Sequence, residues 1–498
     1  MELTFNKTVC PCLQKAVSQI QTQEQTQEVR LPDSMPDIGR VLGSWGQVLI
    51  RSKEWRGNAM AVSGGVMAWV LYAPEDGTAP VSMEAWIPFQ MRWDFPQTER
   101  DCTINILPLL RGVDARSTSV RKLMLRANVS VLGEAYEPME AEILLPENVP
   151  EDLQVLKAVY PMDLLKEAGE KQFQMDEELT LPDTYPEVEK ILRYTLMPKV
   201  LEQKVMAGRL VFRGKGDLHL VYADSDGQIR SWDCEVPFSQ YAELDRDYGP
   251  NSAAVIVPML TNLELIPEQR RLQMKCGLCG QYTIYDREMV EIGSDAYSPQ
   301  RQVKTQMQDL TVLQRLDQKK EPMRMELQLT APVQQIVDVC VLNDHPQHRQ
   351  NGDMAQMAVP AQFQVLYYDD AGNLQTGTVR GEENLQIPSD QENNMYAYAQ
   401  PDGCPMAQIN EQGAMLTMQW DLAVDVFSQQ GIPMLTQISL GEKCEKDPNR
   451  PSLILRKAGN QRLWDIAREC GSTVDAIVQA NHLQDEPVAG QILLIPVS

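Results

Sequence analysis

Leu31-Pro-Asp-Ser-Met-Pro-Asp-Ile-Gly-Arg-Val-Leu42 returns later in the same chain as Leu181-Pro-Asp-Thr-Tyr-Pro-Glu-Val-Glu-Lys-Ile-Leu192. The pattern reads as the start of a short helix. Pro32 or Pro182 ends an extended segment. Ser34 or Thr184 is then placed to cap, and Asp37 or Glu187 three residues on completes a capping box. Pro36 or Pro186 falls in the first turn, where a missing N–H costs nothing. Ile38, Val41 and Leu42, matched by Val188, Ile191 and Leu192, recur at i, i+3 and i+4, the spacing of a buried helical stripe. Capping accounts for the carboxylate pairs Asp33 with Asp37 and Asp183 with Glu187 without acid–base chemistry.

Further markers keep nearly the same offset: Tyr72 and Gly77 with Tyr222 and Gly227, Ile87-Pro88-Phe89 with Val236-Pro237-Phe238, and Arg121 to Leu125 with Arg270 to Met274. A third, worn copy keeps Val333, Ile336, Val337, Tyr367, Gly372 and Ile387-Pro388 but has lost the Leu-Pro-Asp cap. Repetition at this length means tandem domains, since solenoid units are shorter. Between the markers, Gln47 to Ile50, Val66 to Tyr72, Met83 to Phe89 and Leu123 to Leu132 read as strands, with glycine turns between them. The expected organisation is a first repeat with an N-terminal segment (1–145), a partly helical connector (146–170, with helical pattern at 152–159 and 162–168), a second repeat (171–295), a divergent third (300–440), a linker (441–451) and a small tail domain (452–498). The fold class is mainly β: tandem β-rich (α+β) repeats, each with a short capped helix, followed by a βααβ module.

The formal net charge of −24 argues against nucleic acid, whose binding relies on neutralising phosphates, and against anionic membrane surfaces. No apolar run reaches the ~18–20 residues of a membrane span, and the N-terminus shows no secretory signal. Ten cysteines scattered through a long chain read as reduced thiols of a cytosolic protein. Cys276-Gly-Leu-Cys279 has metal or redox spacing, but on a strand residues three apart face opposite ways; core thiols are expected. Cys10-Pro-Cys12 has no partner pair at zinc spacing. His345-Pro-Gln-His348 reads as a surface loop, and His219 and His482 as isolated. No phosphate-binding loop, zinc helix or nucleophile elbow is present. The sequence calls for no enzyme, no cofactor and no metal.

The tail reads as a strand at Leu453 to Arg456, a helix at Leu463 to Glu469 stopped by Gly471, a second helix capped through Ser472 to Asp475, and a closing strand at Gln491 to Pro496. It resembles the LysM module through Leu463-Trp464-Asp465-Ile466-Ala467, Thr473-Val474, Asn481-His482-Leu483, Gly490-Gln491 and Leu494-Ile495-Pro496. In that family two loops form the walls of a glycan groove, which implies ligand or partner contacts at Gly459, Asn460, Gln461 and Arg462 on one side and Leu483, Asp485, Glu486 and Gly490 on the other. The family's Gly-Asp-Thr/Ser before Leu-Trp is replaced by Gly459-Asn460-Gln461-Arg462, a departure that favours a protein partner over sugar.

With the tail placed, the Leu-Pro-Asp motif (Pro32, Asp33, Pro36, Asp37; Pro182, Asp183, Pro186, Glu187), the β-rich body and the Ile/Val-Pro-Phe segment resemble the SPOCS domain. That domain precedes a LysM module in clostridial spore-coat morphogenetic proteins. The resemblance implies a scaffold of coat or envelope assembly in the mother-cell cytoplasm, at the forespore surface. Its expected partner is the ATPase of the coat's basement layer or another coat protein. The alternative is a protein that binds the N-acetylglucosamine glycan of peptidoglycan and is anchored to wall or cortex.

Overall fold

The computed structural model describes residues 2–95, 101–388, 394–444 and 451–497. Six strands come first: β1 (Phe5–Arg30), β2 (Ile38–Arg56), β3 (Ala59–Pro74), β4 (Val81–Asp94), β5 (Thr103–Ser119) and β6 (Lys122–Pro146). Next are β7 (Gln154–Thr180), β8 (Lys190–Met206), β9 (Arg209–Ala223), β10 (Ile229–Glu243), β11 (Ala253–Glu268) and β12 (Arg271–Tyr297). After β13 (Arg301–Leu310) come β14 (Gln314–Thr330), β15 (Gln335–Asn343), β16 (Gln347–Asn351), β17 (Met354–Tyr368), β18 (Leu374–Pro388), β19 (Asn394–Pro401), β20 (Met406–Asn410), β21 (Gly413–Ser428) and β22 (Ile432–Lys443). One sheet order occurs three times. The middle strands pair as β2-β3-β4, β8-β9-β10 and β15-β17-β18, while the outer ones pair as β1-β6-β5, β7-β12-β11 and β14-β21-β19. Each pair of sheets encloses its own apolar core.

The capped helices are absent. Leu31 to Asp37 forms a turn loop in which the Met35 N–H donates to the Pro32 carbonyl, and the chain is extended again from Ile38. The second copy does the same, with Tyr185 donating to Pro182, and Val333 to Val337 also runs into a strand. Bulges explain the misleading stripe. The ladder of β2 slips between Ile38 and Arg40 and again between Val41 and Gly43; β8 slips between Ile191 and Arg193, and β15 between Ile336 and Asp338. An extra residue resets the two-residue alternation of a strand. Ile38 and Val41 therefore face their own core while Leu42, at i+4, turns to a different one. Spacing alone cannot separate that from a helix.

Arginine holds the loop. Arg121, at the β5–β6 turn, donates to the Pro32 and Met35 carbonyls and pairs with Asp37 at 2.8 Å; Arg270 donates to the Pro182 carbonyl at 2.8 Å. The Tyr72 and Tyr222 hydroxyls donate to the Pro36 and Pro186 carbonyls. The third copy has Gln412 where these arginines stand, ahead of β21. It has lost the loop and its clamp together. Arg121→Ala is expected to cost about 1.5–3 kcal/mol, the range for hydrogen bonds to a charged group. Faster amide exchange at Leu31 and Ile38 than at Leu181 and Val188 is the measurement that checks it.

The three copies meet in one shared cluster, to which each contributes the bulge residue and one strand residue: Leu42 and Leu71, Leu192 and Val221, Val337 and Leu366. A second cluster joins Tyr136, Tyr285 and Phe427 from the three outer sheets. Side chains reach across to neighbouring backbone as well. The Gln281 amide exchanges two hydrogen bonds with Ile106 (2.8 and 2.7 Å), and Arg40 donates to the Leu374 carbonyl. The stretch expected to be a partly helical connector is the first half of β7. Of the expected linker, Gly441 to Lys443 continue β22, and 445–450 lie outside the described residues.

Cys276 and Cys279 lie in different cores, one on each side of β12, and burial pushes both thiols up to about 12. His345 is not on the surface. It is 4% exposed, burial lowers its pKa, and the neighbouring Asp344 pairs with Arg111 of β5 at 2.9 Å. His219 is not isolated either. Its Nδ1 lies 2.6 Å from Asp233 and its Nε2 2.7 Å from Asp338, whose carboxylate also binds the buried Arg193 guanidinium. The Ile-Pro-Phe and Val-Pro-Phe segments sit in β4 and β10 with the apolar residues inward and Pro88 and Pro237 outward. Phe89 and Phe238 cover Gly64 and Gly214 on the neighbouring strands, where an added Cβ would meet a carbonyl oxygen at 2.4 and 2.2 Å.

Candidate interaction site

The tail folds as β23 (Leu453–Lys457), α1 (Leu463–Cys470), α2 (Val474–Asn481) and β24 (Ile492–Pro496), with β23 and β24 antiparallel. Trp464, Ile466, Ala467, Ile477, Leu493 and Ile495 fill its core. Gly471 ends α1 in the left-handed conformation (φ 63°) that glycine adopts without strain. The cap of α2 is Thr473, one residue later than the sequence pattern places it; its hydroxyl accepts from the Ala476 N–H at 3.2 Å. Asn481 then fastens α2 to β24. Its amide donates to the Leu494 carbonyl and accepts from the Leu494 N–H (2.6 and 2.7 Å), setting where the 482–491 loop begins.

The two loops singled out from the sequence lie side by side. The Gly490 N–H donates to the Ala458 carbonyl, and Ala458 N–H to Gln491. Gly459 and Asn460 are exposed at the tip of the first loop. Gln461 is held between Arg456 (2.7 Å) and Glu469 (3.1 Å), and Arg462 pairs with Asp465 at 3.2 Å. Leu483 packs against the module core, while Asp485 is exposed. Glu486 crosses from one loop to the other. Its carboxylate accepts the Leu463 N–H at 2.8 Å, at the start of α1, where Arg462 offers no side-chain cap. A carboxylate suits that place because the first N–H groups of a helix lack partners and carry partial positive charge.

The module is fixed to the repeats. Asp295 at the end of β12 accepts from the Trp464 indole (2.9 Å) and from Arg468 (2.8 Å). Tyr297 donates to the Ser472 carbonyl at 3.0 Å and meets Trp464 edge-on with centroids 4.7 Å apart; burial pushes its phenol up to about 12. Nothing local in the sequence marks Asp295 or Tyr297 as a docking residue. The motif residues Pro32, Asp33, Pro36, Asp37, Pro182, Asp183, Pro186 and Glu187 stand in the turn loops of the first two repeats, with Asp33 and Asp183 fully in solvent. Among the described residues, no helix is long and apolar enough to cross a membrane.

A protein-family model described as SipL, SPOCS domain matches residues 187–265, which take in β8, β9, β10 and most of β11. A LysM domain model matches 461–496. No curated protein and no solved structure matches the chain. Both matched domains are binding rather than catalytic modules, and together they support a sporulation-related role in peptidoglycan binding or protein interaction. The chain thus combines a SPOCS domain of the SipL type, in its second repeat, with a LysM domain that follows the third.

Proposed function

We propose that the chain is a non-enzymatic scaffold of spore coat or spore envelope assembly whose LysM module holds a partner protein, the basement-layer ATPase or another coat protein, at the forespore surface in the mother-cell cytoplasm. One observation carries the choice of protein over glycan: the Glu486 carboxylate bridges the two loops and occupies the Leu463 N–H. Neutral sugars are recognised through hydrogen bonds to free polar groups in a closely approached groove. A side chain already bonded from one wall to the other must give up that hydrogen bond before a sugar can enter. The exposed Arg462 on the rim suits a polar protein contact, since arginine is enriched at binding hot spots. Linked repeats add avidity to weak single contacts.

The LysM match itself favours a second reading, anchoring to peptidoglycan of wall or cortex. The two readings part in one experiment on the full-length chain. It is expected to remain in the supernatant with purified peptidoglycan and to capture the purified coat ATPase, with Arg462→Ala weakening capture by roughly tenfold. Pelleting with peptidoglycan while ignoring the ATPase makes the wall reading correct.

A further inference from the structure

Residues 199–215 carry Lys199, Lys204, Arg209, Arg213 and Lys215 against a single acid, Glu202, in a chain with 45 basic and 69 acidic residues. They form the β8–β9 hairpin, inside the stretch that matches the SPOCS model. Residues opposite each other on a ladder share a face. The pairing therefore puts Arg209 between Met206 and Glu243, Val211 between Lys204 and Tyr241, and Glu202 beside Arg213 on one outer surface. Leu201 is the unpaired residue of a bulge between Val200 and Glu202; it is 57% exposed, and Met206 is 52% exposed. A groove of about 670 Å³ over the hairpin is lined by residues of both strands and by Lys320 of β14. Lys199 and Lys215 already face carboxylates. Among the described residues, no salt bridge engages Lys204, Arg213 or Lys320.

We propose that this face docks an acidic, leucine-bearing segment of a partner protein. The inference rests on the reading of the chain as a scaffold that binds proteins, and it names a second contact besides the LysM loops. Charge complementarity supplies the argument. A hairpin with five basic residues and one acid, on a chain of net charge −24, is a local reversal of sign, and opposite potentials across an interface give specificity and a faster encounter. The exposed Leu201 and Met206 supply apolar contact that a purely electrostatic site would lack. A large anionic surface is disfavoured, because a membrane or nucleic acid must also face the acidic remainder of the molecule. A narrow segment meets mainly what lies within a Debye length, about 8 Å at physiological salt.

The first repeat supplies a control. Arg51 occupies the corresponding bulge of β2, between Ile50 and Ser52, and lies over the Trp86 ring. A polar side chain at such a bulge is therefore compatible with the fold, and Leu201→Ser is expected to fold while removing the apolar contact without adding a charge. The test is fluorescence anisotropy of a labelled peptide of alternating glutamate and leucine titrated with the full-length chain. A lysine–leucine peptide, phosphatidylglycerol vesicles and sedimentation of the chain alone are run in parallel. The expected result is saturable binding of the glutamate peptide only, weakened as salt rises. Leu201→Ser and the double variant Lys204→Glu/Arg213→Glu should each reduce affinity about tenfold or more. Equal binding of both peptides, no binding, unchanged affinity in both variants, preference for vesicles, or sites filled by a second copy of the chain each overturn the proposal. Failure of the parent chain to bind the glutamate peptide, with ATPase capture through Arg462 intact, overturns this surface alone.

Discussion

Asp338→Ala is expected to lower the unfolding free energy by about 3–5 kcal/mol, the usual cost of leaving a buried charge without its partner. Asp338 is 4% exposed and stands between Arg193 and His219, so its removal strands the buried Arg193 guanidinium and leaves His219 only Asp233, at the junction of the second and third repeats. Burial opposes the charge of Asp338, yet the two cations hold its carboxyl well below the usual range. Burial also opposes the charge of His219, but the Asp338 and Asp233 carboxylates outweigh it and raise its pKa from 6.5 to about 9. A group raised on folding stabilises fully below its unfolded pKa and loses that contribution as pH climbs through the folded value. Stability should therefore fall between about pH 6.5 and 9, by up to about 3 kcal/mol from this group. Chemical denaturation across that range measures it. A profile in His219→Gln as steep as in the parent chain would show that another group is responsible.

Leu366→Ala should cost about 2–5 kcal/mol, as for other large-to-small changes in packed cores. Its distribution is the more specific expectation. Leu366 meets Leu71 and Val221 in the cluster shared by all three repeats. Hydrogen exchange should quicken at Val70 to Tyr72 and at Leu220 to Tyr222, far away in sequence. Leu210 is buried in the core of the second repeat, so Leu210→Ala should leave Val70 to Tyr72 protected. Changes confined to the third repeat in Leu366→Ala would mean that the cluster does not couple the repeats.

The β character was legible because its signals are local: the short apolar run Val66 to Tyr72 lies in β3 and the alternating Met83 to Phe89 in β4. The tail was legible through its two helices, because Gly471 and Thr473 mark their ends chemically. The short helices were misread because bulges at Leu42, Leu192 and Val337 imitate helical spacing. In the candidate site the two loops could be placed from the sequence, but the Glu486 bridge between them could not. The junctions had no local signature at all. His219 and Asp338 are separated by 119 residues, and Trp464 and Asp295 by 169. Only the folded chain brings them together.

The prolines of β4 and β10 bear on how a chain so rich in strands avoids pairing with its own copies. An edge strand offers unpaired N–H groups to any passing chain, and proline has none to offer. Pro88 and Pro237 interrupt the free edges of the first two middle sheets, so these repeats resist stacking edge to edge into fibres. The corresponding strand β18 lacks a proline until Pro388 and carries Arg380, Glu382 and Glu383 instead, a defence by charge that salt can weaken. Unwanted self-association of this chain should therefore begin at its third repeat and grow with ionic strength.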